Sequence, residues 1–248
     1  MLMLFKDIKR KALKMIHEDF RVLDFSFGLP YTYVVIEGER GKALGVMMTL
    51  PEEIQLFRNS IEETSVEAFI EKADSLNIIE RTLALAAINA VSQYYIDLSG
   101  AEEKDVLGLL SGGIERVAVI GNMPPIVKAL KEQEFEVYVF ERNPKISDRE
   151  TFSDSFEYVL LPKMDAVIVS GSSLANGTLE MILERSKNAE LIALTGPSAQ
   201  VHPELIRGTG VTHLASMKVL DVERALIKLK LGCFRGFEKA NRKYTIKI

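Results

Sequence analysis

The sequence predicts an α/β chain in which an antiparallel α+β part precedes a parallel sheet, and three observations predict it. Val22 to Phe27, Tyr31 to Glu37 and Ala43 to Thr49 are short strand-like runs, parted by Gly28-Leu29-Pro30 and by a turn around Gly38 to Gly41, which is the spacing of a meander. Beyond Gly113 apolar strand-like runs alternate with helical ones, the pattern of a parallel sheet covered on both faces. Between these regions, Asn77 to Asp97 is apolar most of the way round, so a helix there must be buried on several sides.

In chain order, Phe5, Ile8, Ala12, Leu13, Met15, Ile16 and Phe20 have helical spacing over residues 4 to 20. After the meander, Thr64 to Ala73 predicts a short helix, residues 77–97 the long one, and Glu102 to Leu110 another short one closed by Ser111-Gly112-Gly113. The expected division is an α+β domain over 1–100 and an α/β domain over 101–248. Arg116 to Ile120 reads as a strand, Gly121 to Pro125 as a tight turn, the segment from Ile126 as a helix, and Phe135 to Phe140 as the next strand. A crossover helix makes these strands parallel and forms a Rossmann-like βαβ unit, with Gly121 and Glu141 at its carboxyl edge. Residues 142–164 are irregular, with Tyr158 to Leu161 an extra strand or a packing loop. Strands follow at Asp165 to Ser170, Glu190 to Thr195 and Val211 to Leu214, and helices at Asn176 to Lys187, Pro203 to Arg207 and Asp221 to Leu231. Arg242 to Ile248 alternates and is expected to add an edge strand.

Composition excludes several functions. The 35 acidic and 31 basic residues give a formal charge of −4 without a basic face, so no nucleic-acid partner is expected. No apolar run is long enough to span a membrane, and charges interrupt the apolar start after Phe5. The one cysteine, Cys233, rules out an internal disulfide and fits a cytoplasmic location. Nothing in the sequence reports the oligomeric state, and a homodimer is the expectation for such a chain.

Chemistry is expected where strands end. Gly121-Asn122, Glu141-Arg142-Asn143, Ser170-Gly171-Ser172-Ser173 and Thr195-Gly196-Pro197-Ser198 follow the first four parallel strands, and in register they would form one ligand-facing rim. Helix starts at Pro124 or Asn176 would add N–H groups for an anion or polar edge, although Asn176 is also an ordinary N-cap residue. The second and third glycines of a diphosphate-binding fingerprint are missing after Gly121. Glu141 nevertheless stands twenty positions after Gly121, where an acidic residue takes ribose hydroxyls in nucleotide-binding units. A hydroxyl-bearing ligand without a diphosphate is therefore favoured over NAD. The plain alternative is that the glycines only permit turns and that Glu141 pairs with Arg142 or Lys145. Asn89, set in the most apolar helix, requires partners and is read as an interdomain hydrogen bond or as a side chain reaching the cleft.

Ala86-Ala87-Ile88-Asn89-Ala90, Val119-Ile120-Gly121-Asn122-Met123-Pro124, Val139-Phe140-Glu141-Arg142-Asn143-Pro144, the segment Ser170 to Thr178 and Thr195-Gly196-Pro197-Ser198 occur in this order. Together they resemble an uncharacterised prokaryotic family labelled "putative heavy-metal chelation", with Ser170 standing where threonine is expected. The resemblance covers nearly the whole chain. It implies an enolase-amino-terminal-like domain followed by a Rossmann-like domain, with the active site in the cleft between them.

A soft-metal site wants thiolate and imidazole ligands, and the chain offers Cys233, His17, His202 and His213 with no C-x-x-C or H-x-x-x-H pair. No metal site is expected from these residues, although His213 could reach the rim. If metals matter, the protein is expected to make, modify or sense an organic chelator. The motifs name no cofactor and contain no nucleophile elbow or catalytic triad. The leading reading is a protein that binds a nucleotide-, pterin- or chelator-like small molecule and acts on it at an interdomain cleft. In that reading Glu141 is the acid-base candidate, and Gly121, Asn122, Ser170, Gly171, Ser172, Asn176, Thr195, Gly196, Pro197 and Ser198 surround the ligand. A non-catalytic carrier or sensor is the alternative, and an S-adenosylmethionine- or NAD-dependent enzyme a third.

Overall fold

The structure is a computed structural model that describes residues 3–102, 106–110, 112–234, 237, 239 and 241–248. Helix α1 (Met3–Met15) buries Phe5, Ile8 and Ala12. It stops at Met15, short of the predicted Phe20, and Glu18 beyond it reaches two later segments, its Oε2 accepting from the Glu39 N–H at 2.6 Å and the Tyr94 hydroxyl at 2.8 Å. Strands β1 (Arg21–Ser26), β2 (Tyr31–Gly38) and β3 (Gly41–Met48) form the antiparallel meander, and Gly38 pairs with Gly41 around a tight turn.

A short helix, α2 (Val66–Ile70), leads to α3 (Ile78–Tyr95), which Asn77 caps by accepting from the Ile79 N–H. Every residue from Ile78 to Gln93 is buried, as an all-round apolar helix requires. Helix α3 and strand β3 meet backbone to backbone at Gly45. A Cβ there would lie 2.0 Å from the Ala90 nitrogen and 2.3 Å from the Ala86 oxygen.

The second sheet contains β4 (Arg116–Ile120), β5 (Glu136–Phe140), β6 (Thr151–Phe152), β7 (Ala166–Ser170), β8 (Leu191–Thr195), β9 (His213–Val219) and β10 (Asn241–Lys247). Their spatial order is β10-β9-β8-β7-β4-β5-β6, parallel except for β10, which runs antiparallel at the edge. Chain winding thus reverses between β4 and β7, the position at which open α/β sheets form a ligand crevice beyond the strand ends. Helix α4 (Pro124–Glu132) makes the first crossover.

Several boundaries differ from expectation. The segment Tyr158 to Leu161 is neither strand nor loop: most of it belongs to helix α5 (Glu157–Leu160). The helix expected over 176–187 is the shorter α7 (Leu179–Arg185), and a separate short helix, α6 (Ser172–Asn176), precedes it and ends at Gly177, which adopts φ +79°. Helices α8 (Pro203–Ile206) and α9 (Val222–Lys230) fall where predicted, whereas β9 continues well beyond Leu214. Of the helix expected over 102–110, Val106–Leu109 is a single 3-10 turn, and residues 103–105 and 111 lie outside the described set.

One apolar cluster runs through both sheets, taking in Phe5, Met47 and Ile88 together with Val169, Leu174 and Leu194. A polar seam accompanies it along β3. The Val46 N–H donates to Gln200 Oε1 at 2.9 Å and the Met48 N–H to Ser198 Oγ at 2.9 Å. Asn89 Nδ2 donates to the carbonyls of Val46 and Ser198 at 2.7 and 3.1 Å. Among the described residues, no helix is long and apolar enough to cross a membrane.

Because the obstructing atoms at Gly45 are backbone, Gly45→Ala must separate α3 from β3 and is expected to lower the unfolding free energy by roughly 3 kcal/mol or more. At Gly41 a Cβ meets open space and only its φ of +109° resists substitution, so Gly41→Ala should cost about 1 kcal/mol. Urea denaturation of both variants checks the ranking, and equal losses would contradict the tight contact.

Candidate functional site

At the reversal point a hollow of about 70 Å³ opens between the strand ends Gly121, Glu141, Ser170 and Ser172 and an opposing wall of Leu50, Glu52 and Glu53. Gly121 makes the turn possible with φ +88°, and a Cβ there would come within 3.1 Å of Ser170 Cβ. Glu141 splints two loops: Oε2 accepts from the Asn122 N–H and Oε1 from the Asn143 N–H, both at 2.8 Å. Asn122 turns its own amide to the Ile146 carbonyl at 2.6 Å. Ser170 and Ser172 join hydroxyls at 2.9 Å. Asn176 also lines the hollow, and its Oδ1 accepts from the Thr178 N–H and hydroxyl at 3.1 and 2.8 Å.

The predicted rim does not converge on one hollow. Thr195, Gly196 and Pro197 line a separate, more apolar one of about 320 Å³ with Met123, Ile126 and Met217, and Thr195 Oγ1 donates to the Ala215 carbonyl at 3.1 Å. Gly171 and Ser198 lie between the two and are packed rather than open. A Cβ on Gly171 would sit 2.5 Å from the Ala199 nitrogen, and Ser198 belongs to the β3 seam. No helix begins at Asn176, which closes α6 instead. Helix α4 opens with Pro124 and Pro125, which have no N–H, and the next amide, Ile126, bonds to the Met123 carbonyl at 2.9 Å. An anion therefore finds few donors at these helix ends.

Ion pairing closes one side of the hollow. Arg142 Nη1 meets Glu53 Oε1 at 2.7 Å and its Nε meets Asp154 Oδ2 at 2.6 Å, so one guanidinium ties the loop after β3 to the region after β6. Beside it Glu157 is only 3% exposed, and its Oε2 has no hydrogen-bond partner. Burial above all, then the charges of Asp154 and Glu141, push this carboxyl up to about 7 against the opposing pull of Arg142. Ser173, also 3% exposed and lining the same hollow, leaves its Oγ unpartnered too. Sequence reasoning missed Glu157 and set Ser173 on the rim without giving it a role. Glu157 falls in the irregular 142–164 stretch, where no periodicity marks it, and Ser173 differs from its serine neighbours only in burial.

Comparison with known proteins places this geometry in a family. Residues 105–248 match one family model and residues 9–92 a second, and both models are described as "Putative heavy-metal chelation". The chain belongs to this family. An uncharacterised protein of Methanocaldococcus jannaschii is 48% identical over 256 residues, covering 99% of this chain and 98% of that protein. A crystal structure of a family member of unknown function from Pyrococcus horikoshii superposes with a TM-score of 0.97 at 60% identity, covering 99% of this chain and all of that one. A second member, from Desulfitobacterium hafniense, shares the fold with a TM-score of 0.77 at 22% identity, covering 98% and 99% of the two chains.

The family's description raises a question that the donor set answers. Among the described residues, no three His, Cys, Asp or Glu side chains are arranged to hold a metal ion. Cys233 is exposed. His17 packs edge-on against Tyr95, and His202 caps α8 by accepting from the Glu204 N–H at 3.3 Å. His213 does not reach the rim: it begins β9, at the opposite edge of the sheet, where Nδ1 pairs with the Thr212 hydroxyl at 2.9 Å. These residues do not fit a soft-metal centre of the thiolate and imidazole type.

Glu157 holds its proton more tightly folded than unfolded, where its pKa is near 4.5. Between about pH 4.5 and 7 the folded state therefore binds more protons, and stability falls by something on the order of 3 kcal/mol as pH rises through this window. Glu157→Gln should consequently be more stable than the parent at about pH 8, with the difference vanishing near pH 4. Denaturation at the two pH values checks this, and a difference independent of pH would assign the effect to packing.

Proposed function

We propose that the chain binds a small organic molecule, nucleotide-, pterin- or chelator-like, in the hollow where the loop after β3 faces the carboxyl ends of β4, β5 and β7. The observation that carries this reading is the place of the hollow, at the reversal of the sheet, where Glu141, Asn143, Ser170, Ser172 and Asn176 line it from segments at the carboxyl ends of neighbouring strands. Glu141 supports the same reading, because each carboxylate oxygen accepts one backbone N–H and retains a second lone pair. A carboxyl titrating near neutrality also provides the acid-base group that an enzyme at this cleft needs.

The scattered histidines and the exposed cysteine favour handling of an organic chelator or its precursor over direct capture of a bare soft ion. The missing diphosphate glycines and the two prolines opening α4 favour a ligand without a diphosphate.

Thermal denaturation against nucleosides, pterins, S-adenosylmethionine, NAD and organic chelators tests the proposal. A ligand at about 100 times its dissociation constant adds ~2.7 kcal/mol, or roughly 5–10 °C for a chain of this size. Glu141→Ala is expected to abolish the shift by releasing the loops that it splints. A ligand that stabilises parent and variant equally would remove this hollow from consideration.

A further inference from the structure

We propose that another hollow, beside the first, binds the oxyanion head of a small organic molecule, a carboxylate or a phosphate monoester, against the unused edge of the Arg81 guanidinium. This hollow, of about 300 Å³, lies between the segment from Glu53 to Arg58 and the start of α3, where Leu76, Asn77, Ile78 and Arg81 line it. Arg81 is only 6% exposed. Its Nε donates to the Ala175 carbonyl at 2.8 Å and its Nη1 to the Ser75 carbonyl at 2.6 Å. A guanidinium has five N–H groups, so three remain. Nη2 makes no hydrogen bond and, unlike the Glu157 and Ser173 oxygens, is not sealed off by its neighbours. Its N–H groups are what Arg81 offers to the space that it lines.

The charge on Arg81 has no counter-ion in the fold: among the described residues it forms no ion pair and bonds to carbonyls alone. Glu80, beside it on α3, is spent on other partners. Its Oε1 accepts from the Ser60 N–H at 2.7 Å and hydroxyl at 2.8 Å, and its Oε2 from the Ser75 hydroxyl at 2.5 Å. Glu53 acts on Arg81 through its charge, but its Oε1 is bonded to Arg142. Burial lowers the Arg81 pKa, with Glu53 opposing. A buried cation held by two carbonyls opposes folding, and an oxyanion that meets its planar fork recovers that loss.

The rest of the lining agrees. Arg58 brings a second guanidinium, and its carbonyl accepts from the Asn77 side-chain amide at 2.7 Å, so the loop that carries it is fastened to the start of α3. Helix α3 is 18 residues long and presents the positive end of its dipole here. Against these groups stands one acid, Glu53, already shared with Arg142, so the hollow is locally positive in a chain whose formal charge is −4. Leu56 and Leu76, both exposed, also line it and suit an apolar portion next to the anionic head. The volume is at the lower end for small-molecule sites. The two hollows have only Glu53 in common, so this inference stands whether or not the first one binds a ligand.

The test titrates the full chain at constant ionic strength with hexanoate and hexyl phosphate, with hexanamide and hexanol as neutral matches, and with acetate and inorganic phosphate as bare anions. At least one hexyl anion is expected to bind by calorimetry while the neutral matches do not, and whichever binds identifies the head group. The bare anions should bind more weakly because they leave Leu56 and Leu76 uncovered. Arg81→Lys keeps a charge but loses the planar fork and should weaken binding roughly tenfold or more. Arg58→Gln changes an exposed side chain and should weaken it about threefold, which keeps the test decisive if Arg81→Lys does not fold. Silence from both hexyl anions, equal binding of charged and neutral probes, or affinity unchanged in these variants would each overturn the inference. Bare anions binding as tightly as the hexyl ones would remove its apolar part. Glu141→Ala should leave hexyl-anion affinity as it is, and a loss there would transfer the anion to the first hollow and refute this one.

Discussion

The outer edge of β3 is the constraint on which the rest of the molecule depends. One edge of this strand pairs with β2, and along the other the Val46 and Met48 amides are taken by side chains of the turn that follows β8. A free edge would be a template for unwanted pairing and would leave backbone groups unsatisfied. Ser198, Gln200 and Asn89 satisfy it and in doing so fix the meander against the parallel sheet. Gln200 continues the chain of bonds to the Met217 carbonyl at 3.1 Å, so the strand edge is tied to β9. Because the seam also sets where the loop after β3 lies, it determines that Leu50, Glu52 and Glu53 stand opposite Gly121 and Glu141.

Close approach makes the seam effective. Gly45 lets α3 touch β3, and Gly171 lets the β7 turn touch Ala199; at both places backbone replaces side chain as the packing surface. Asn89 needs this proximity, because its amide spans from Val46 to Ser198. Core packing and site geometry thus share the same residues, and a change that moved α3 would shift both walls of the hollow.

Much of the fold was legible in the sequence because its signals are periodic. The three-strand meander, the helix 78–95 buried as far as Gln93, the alternation beyond Gly113 and the crossover from Arg116 to Phe140 all rest on residue spacing. What escaped depended on three-dimensional context. Helix α6 lies ahead of the helix expected from Asn176, and α5 lies in a stretch with no period to detect. Strand ends were legible as a list but not as a place. Thr195 to Pro197 face a different hollow from Glu141 because the packed turn at Gly171 and Ser198 comes between them. Asn89 could be marked as needing partners, whereas nothing in the sequence marks the burial that the fold gives Glu157.

Energetics give Glu157 its significance. Burying a carboxyl with an unpartnered oxygen opposes folding, and a glutamine or an apolar residue on α5 would remove that penalty. The surrounding structure increases the penalty, since the charges of Asp154 and Glu141 act on it while Arg142, which opposes them, is divided between Glu53 and Asp154. Ser173, on α6, likewise keeps a buried oxygen without a partner. Local violations of good packing persist where function requires them and the rest of the fold supplies the compensating stability. In this chain that compensation comes from the buried, largely apolar α3 and the β3 seam, which together position the acidic hollow at the reversal of the sheet.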